Sequence, residues 1–162
     1  MDFRRLNGVV LHVQDLGPAD KPALVFANSL GTDFRIWNDV VARLGDRFRI
    51  VLYDKRGHGL SETGQSPYRI DDHVADLAAL LDELAVEQAV ICGLSVGGLI
   101  AQGLYASRPD LVSALILCDT AHKIGTAEAW AELIAAIEKG GIASIADLIL
   151  ERWFTRDLRE NR

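Results

Sequence analysis

The chain has 162 residues, 49% of them hydrophobic and 25% charged, with a net charge of −6. That length suits one domain, or one domain and the start of another, and the composition is globular rather than disordered or fibrous. The acidic balance argues against nucleic-acid binding, because no basic excess is present to displace counterions from phosphates; it leaves room for an anionic substrate, which one well-placed arginine would hold.

In chain order, residues 3–6 and 9–13 are short apolar stretches around Asn7-Gly8, a strong two-residue hairpin signal. Pro18 and Pro22 bracket a polar turn. Ala23–Ala27 is a continuous apolar run, the pattern of a strand buried on both faces. Trp37, Val40, Val41 and Leu44 follow at helical spacing, with Gly45 as a left-handed stop. Arg49–Tyr53 reads as the next strand and residues 54–61 as a Gly-rich loop. A second helix carries Ile70, Val74, Leu77, Leu81 and Leu84 on one stripe, with Asp71 as its expected N-cap. Residues 89–92 form another buried strand. A helix opens at Ser95 and runs to about Ser107, before Pro109. Residues 114–118 are the last predicted strand.

Apolar strands alternating with amphipathic helices predict βαβ units around a parallel sheet, an α/β fold. After Thr120 the alternation stops. Trp130, Leu133, Ile134 and Ile137 form one helical stripe, Gly140-Gly141 breaks it, and Ile142, Ile145, Ile149 and Trp153 form another. Two helices without an intervening strand predict a helical insertion, followed by a charged tail over 156–162. The expected organisation is therefore a core over 1–120 and a helical region over 121–162. No run of about 18 apolar residues predicts a membrane span, and residues 1–5 lack the apolar core of a signal peptide. Cys92 and Cys118 each lie within an apolar run and read as buried thiols rather than a disulfide or metal pair, which makes the cytoplasm the expected location.

The strongest chemical signal is Gly93-Leu94-Ser95-Val96-Gly97-Gly98, a G-x-S-x-G sequence between a predicted strand and a predicted helix. A sharp turn there strains the serine backbone and exposes its hydroxyl. Gly93 and Gly97 avoid collision with neighbouring chain, and the helix start aims N–H groups at developing negative charge. The plainer reading is a Gly-rich turn without chemistry. Asn28-Ser29-Leu30-Gly31 follows the third strand, where this architecture takes its second oxyanion donor. The expected pair is the backbone N–H of Leu30 and of Val96, each typically worth roughly 10²–10³ in turnover. His58 lies in the loop after the fourth strand and is assigned to loop shape rather than catalysis; His12 and His73 are expected at the surface. Asp119 and His122 follow the last strand at the carboxyl edge, where ligands bind in open α/β sheets. Asp119 is a candidate to orient a catalytic histidine and His122 to face the substrate; capping the strand end is the simpler role.

At these motifs the chain resembles the α/β-hydrolase superfamily, and within it the 3-oxoadipate enol-lactone hydrolases. The likeness extends to Phe26-Ala27-Asn28-Ser29-Leu30-Gly31-Thr32, to Tyr53-Asp54-Lys55-Arg56-Gly57-His58-Gly59, to residues 119–126 and to Arg152-Trp153-Phe154-Thr155, with Asn28-Ser29 standing where most relatives have His-Gly. The resemblance implies an α/β-hydrolase core with the start of a helical cap. It implies cofactor-free and metal-free opening of a small carboxylated lactone in bacterial breakdown of aromatic compounds, with Ser95 as nucleophile. Ser29, Trp130 and Trp153 are its candidate substrate contacts, and Arg35 or Arg152 a candidate partner for a substrate carboxylate. The family's catalytic histidine, and usually its acid, lie on loops beyond the cap. Residues 1–162 alone are thus expected to lack a complete triad and to be inactive. They are also expected to leave an apolar sheet edge for a second copy or a companion chain to cover. A general carboxylesterase, a C–C-bond hydrolase, a perhydrolase and a non-catalytic binding module on the same scaffold are the alternatives.

Overall fold

The computed structural model describes residues 2–44 and 47–161; the predicted stop at Gly45 lies outside them. Two compact units divide the chain, Met1–Ile124 and Gly125–Arg162.

The first unit is built on a six-stranded sheet of order β1-β2-β4-β3-β5-β6. β1 (Asp2–Leu6) and β2 (Val9–Leu16) form the expected hairpin, with Asn7 and Gly8 both at positive φ. That mirror-image turn matches the strands' own twist. β2 runs on to Leu16, past the apolar residues, because Gln14, Asp15 and Leu16 pair antiparallel with Leu52, Val51 and Ile50 of β4 (Arg49–Tyr53). β3 (Ala23–Ala27) lies between β4 and β5 (Ala89–Leu94), parallel to both, and β6 (Val112–Cys118) is the edge strand beyond β5.

Side chains alternate across the sheet, so each central strand feeds two cores. Val25, Ala27, Val51, Tyr53, Ala89 and Ile91 pack on one face with Val74, Leu77, Leu80 and Leu81 of α2 (Ile70–Glu83) and Ile100, Ala101 and Leu104 of α3 (Val96–Ser107). Leu24, Phe26, Ile50, Leu52 and Cys92 pack on the other with Phe34 and Trp37. Burial on both faces is why these strands read as unbroken apolar runs.

Local chemistry sets the helix starts. The helix predicted from Trp37 begins as a 3₁₀ turn, Phe34–Trp37, whose first N–H groups are met by Asp33 accepting from the Arg35 N–H at 2.9 Å; it continues as α1 (Asn38–Leu44). The expected Asp71 cap of α2 is corrected. Arg69 occupies the N-cap position, and Asp72 accepts its backbone N–H at 2.7 Å. A carboxylate three residues into the helix reaches back to the cap, as one residue nearer cannot.

The second unit contains α4 (Ala127–Gly140), a 3₁₀ turn over Ile142–Ile145, α5 (Ala146–Trp153) and α6 (Arg156–Glu160). Thr126 caps α4 by accepting the Ala129 N–H, and Gly141, at φ 72°, takes the left-handed conformation that ends it. The expected charged tail is helical over α6, where Thr155 caps the start and Arg156 pairs with Glu160 at 2.7 Å. Among the described residues no helix is long and apolar enough to cross a membrane.

Candidate active site

β5 runs directly into α3 through Ser95, which adopts φ 55°, ψ −117°. This left-handed region is costly for any residue with a Cβ, and such strain persists only where the surroundings over-determine it. Three hydrogen bonds do so here. The Ser95 N–H donates to the Cys118 carbonyl of β6 at 3.0 Å, and the Ser95 carbonyl accepts from the Gly98 N–H at 2.9 Å and from Thr120 Oγ1 at 2.7 Å. Glycines allow the close approach: a Cβ on Gly93 would run into the backbone of Gly97 and Gly98, and one on Gly97 into the carbonyl of Ala27 at the end of β3. The main chain of Ser95 is thereby fully bonded, while its half-buried hydroxyl makes no capping hydrogen bond and none to a histidine among the described residues. Val96 is the first residue of α3, so its N–H has no intrahelical acceptor.

The loop after β3 starts beside this turn, because Ala27 pairs with Gly93 and Gly97 packs on Ala27. Asn28 and Ser29 are buried and Leu30 is exposed. Asn28 Nδ2 donates to the Thr32 carbonyl and, at 3.3 Å, to Thr32 Oγ1, and Thr32 Oγ1 donates to the Ser29 carbonyl at 2.9 Å. Lys55 Nζ donates to that same carbonyl at 2.6 Å. The lysine is only 2% exposed. Burial pulls its ammonium down to about 7, with Asp54 acting in the opposite sense. Sequence reading passed over Lys55. The available signal was parity: continuing the alternation of β4, it follows Val51 and Tyr53 in the series facing the core.

The loop after β4 is organised by Asp54. Its carboxylate accepts the Phe34 N–H at 2.9 Å and the Leu60 N–H at 3.1 Å, and lies 2.8 Å from His12 Nδ1. A carboxylate only accepts, which puts the hydrogen on that ring nitrogen. His12 is 4% exposed and stacked between Phe3 and Phe34, and His73 is 7% exposed against the edge of Tyr68. Both expectations of surface histidines are therefore corrected; aromatic packing and, for His12, the Asp54 carboxylate make their burial tolerable. Burial lowers His73 to about 4, aided by the nearby Lys55 charge, and the same two causes lower His58. His58 sits over its own loop with Nδ1 3.1 Å from the Arg56 carbonyl. Arg56 is held by Asp76 through two bonds of 2.6 and 2.7 Å.

Asp119 and His122 are both exposed beyond β6, with Asp119 at φ 40°. Arg35 is engaged bidentately by Asp33 at 2.8 and 2.7 Å rather than free for a ligand. Trp130 on α4 and Trp153 on α5, like Arg152, belong to the second unit and are exposed. Both cysteines are free thiols; Cys92 is buried, which pushes its thiol up to about 12, whereas Cys118 is only half-buried because it lies on the edge strand. Ile116 and Leu117 of that strand are each 46% exposed. Among the described residues no group of three or more His, Cys, Asp or Glu is placed to hold a metal ion.

Comparison with known proteins gives this arrangement a family. The chain is 43% identical over 154 residues to 3-oxoadipate enol-lactonase 2 of Acinetobacter baylyi, spanning 95% of this chain and 58% of that protein. To 3-oxoadipate enol-lactonase 1 of the same organism it is 37% identical, over 92% of this chain and 56% of that one. The crystal structure of an enol-lactonase from Burkholderia xenovorans LB400 superposes with a TM-score of 0.94 at 39% identity, covering 98% of this chain and 62% of that one. The chain thus spans less than two thirds of the length of each of these relatives. Residues 22–139 match the family model for the α/β hydrolase fold, and the chain belongs to that family.

Proposed function

We propose that the protein is a serine hydrolase that opens a small carboxylated enol-lactone, 3-oxoadipate enol-lactone in the first instance, by acyl-enzyme chemistry. Ser95 Oγ attacks the lactone carbonyl carbon while a base takes its proton; on the family pattern that base is a histidine on a later loop. The Leu30 and Val96 N–H groups hold the tetrahedral oxyanion. Collapse breaks the ring C–O bond, and the leaving enol oxygen takes a proton and tautomerises to the ketone. Water then attacks the acyl-Ser95 ester and releases the acid. Ser29, buried beside the donors, is the proposed neighbour of the bound carbonyl. The cytoplasm is the proposed location, in keeping with two free thiols.

The carrying observation is Ser95 itself, held at a costly backbone conformation by three main-chain hydrogen bonds while its hydroxyl is left without a capping bond. The kinship with proteins named enol-lactonases supports the choice of substrate. In the complete protein, Ser95→Ala is expected to lower turnover of 3-oxoadipate enol-lactone by roughly 10⁴-fold or more and to abolish labelling by a fluorophosphonate. Retained turnover rejects Ser95 as nucleophile. Robust hydrolysis of aryl esters with none of the enol-lactone would move the reading to a general esterase, and absence of labelling in the unmutated protein would move it to a binding module.

A further inference from the structure

The Ser29 carbonyl and the Leu30 N–H belong to one peptide unit. That unit is planar and trans, so the two groups point in opposite directions, and fixing one fixes the other. The carbonyl takes two hydrogen bonds, from Lys55 Nζ at 2.6 Å and from Thr32 Oγ1 at 2.9 Å. The N–H on the opposite side makes none among the described residues. Asn28 braces the loop at Thr32, but at the peptide itself little else acts: Leu30 is exposed, and Gly31 sits at φ 71° with open space where a Cβ would be.

A lysine is an expensive way to satisfy one carbonyl. Its ammonium is buried, and the Ser29 oxygen is the acceptor it hydrogen-bonds among the described residues. Thr32 already satisfies that oxygen, so no orphaned acceptor demands the second donor. What the second donor adds is strength, greatest below about pH 7, where it is an ammonium and its bond is roughly twice as strong as a neutral one. The benefit falls on orientation, since a peptide pinned by two donors on its carbonyl resists the flip that would replace the outward N–H by a carbonyl oxygen.

We propose that Lys55 is a positioning residue which, with Thr32, locks the Ser29–Leu30 peptide so that the Leu30 N–H faces the developing oxyanion. This rests on the reading of Leu30 as an oxyanion donor. Lys55 touches no reacting atom and acts through the backbone of the loop it holds.

The test uses the complete protein with p-nitrophenyl acetate as substrate and phenylboronic acid as an inhibitor whose tetrahedral adduct on Ser95 mimics the oxyanion. Lys55→Met keeps the length of the side chain and removes its donor. It is expected to lower kcat by roughly 10- to 100-fold, below the cost of losing a donor outright. KM should stay within about twofold, because ground-state binding does not use the oxyanion contact. Affinity for phenylboronic acid should fall by a factor similar to that in kcat, and a melting transition should show the variant folded. Thr32→Val, at a half-buried position, is expected to lower kcat severalfold in the same pattern. Wild-type kcat in folded Lys55→Met overturns the proposal, as does a rise in KM with kcat unchanged. Should Lys55→Met fail to fold, Thr32→Val decides, and an unchanged kcat there overturns it. Ser95→Ala run in parallel separates the two levels. If it keeps its turnover, the hydrolase reading falls and takes this one with it; if it is inactive while Lys55→Met is normal, only the role of Lys55 falls.

Discussion

Two Gly-rich turns leave the carboxyl ends of the parallel strands on either side of β3, and they treat their polar groups in opposite ways. In the loop after β4, Asp54 gathers two backbone N–H groups and an imidazole, Arg56 is clamped by Asp76, Ser61 Oγ donates to the Asp54 carbonyl at 2.5 Å, and His58 folds back on Arg56. In the turn after β5, the main chain is equally well bonded, but the Ser95 hydroxyl makes no capping bond and the Val96 N–H has no intrahelical acceptor. The first loop spends its polar groups on holding shape. The second spends only its backbone and leaves side-chain and amide valence for a ligand. A conspicuous histidine in the first loop is thus structural, and a plain serine in the second is the candidate for chemistry.

The sharpest way to break this contrast is to remove the centre of the satisfied loop. Asp54→Ala leaves buried Phe34 N–H and His12 Nδ1 without their acceptor. Removing one partner of a buried network typically costs about 3–5 kcal/mol, and a loss of that size is expected in urea denaturation, read as a lower midpoint at unchanged slope. A loss under about 1 kcal/mol, the range of an exposed pair, would mean that the loop is held by something other than this carboxylate.

Lys55 ties the loop after β4 to the loop after β3, and its pH dependence sharpens the comparison. In the folded state its ammonium is held at about 7, against an ordinary value of 10.5. Between those values the unfolded chain carries a proton that the folded chain lacks, so stability rises with pH. The burial penalty is present in full below about pH 7 and is relieved as pH climbs toward 10.5. The slope from this group reaches at most about 1.4 kcal/mol per pH unit. Comparing the protein with Lys55→Met between pH 7 and 9 isolates it, giving about 2 kcal/mol over that window. Buried Tyr53 and Cys92, whose groups are both raised by burial, pull the other way as pH nears their ordinary values of 10.0 and 9.0, but they do so in both proteins and cancel in the comparison. Parallel stability curves for the two proteins would show that Lys55 is not shifted by burial.

Most of the framework was legible in the sequence because it is local. Apolar runs marked β3, β4 and β5, Asn7-Gly8 marked the hairpin, and Gly93 and Gly97 announced a close approach that the packing on Ala27 requires. What was missed depends on partners far along the chain. His12 is buried because Asp54, 42 residues away, accepts its hydrogen bond, and Lys55 because Ser29, 26 residues away, accepts the bond it donates. Composition labels such residues as surface, and only the sheet order brings their partners together. The Asp71 and Asp72 cap is a smaller case of the same limit, since side-chain reach rather than residue type chooses between neighbours. Ser95 was found by its glycines; its hydroxyl was expected exposed, and in the fold the residue is half-buried with no capping bond to its own helix.

The smallest expected effect is the most direct probe of strain. At φ 55°, ψ −117°, Ser95 occupies backbone space that glycine enters freely. Such strain costs on the order of 1–3 kcal/mol. Ser95→Gly removes the Cβ that pays it, offset in part by the greater freedom of glycine in the unfolded chain, roughly 0.4–1 kcal/mol. The net expectation is a protein more stable by about 1 kcal/mol, or a Tm higher by about 2–4 °C, with its turnover gone. Ser95→Ala keeps the Cβ and should show no such gain. A serine lost at no gain in stability would place its backbone in an unstrained state, and the turn would then be ordinary rather than spring-loaded toward a substrate. A gain that appears in the glycine variant alone ties the strain to the Cβ, and so to the same geometry that lifts the hydroxyl away from its own helix.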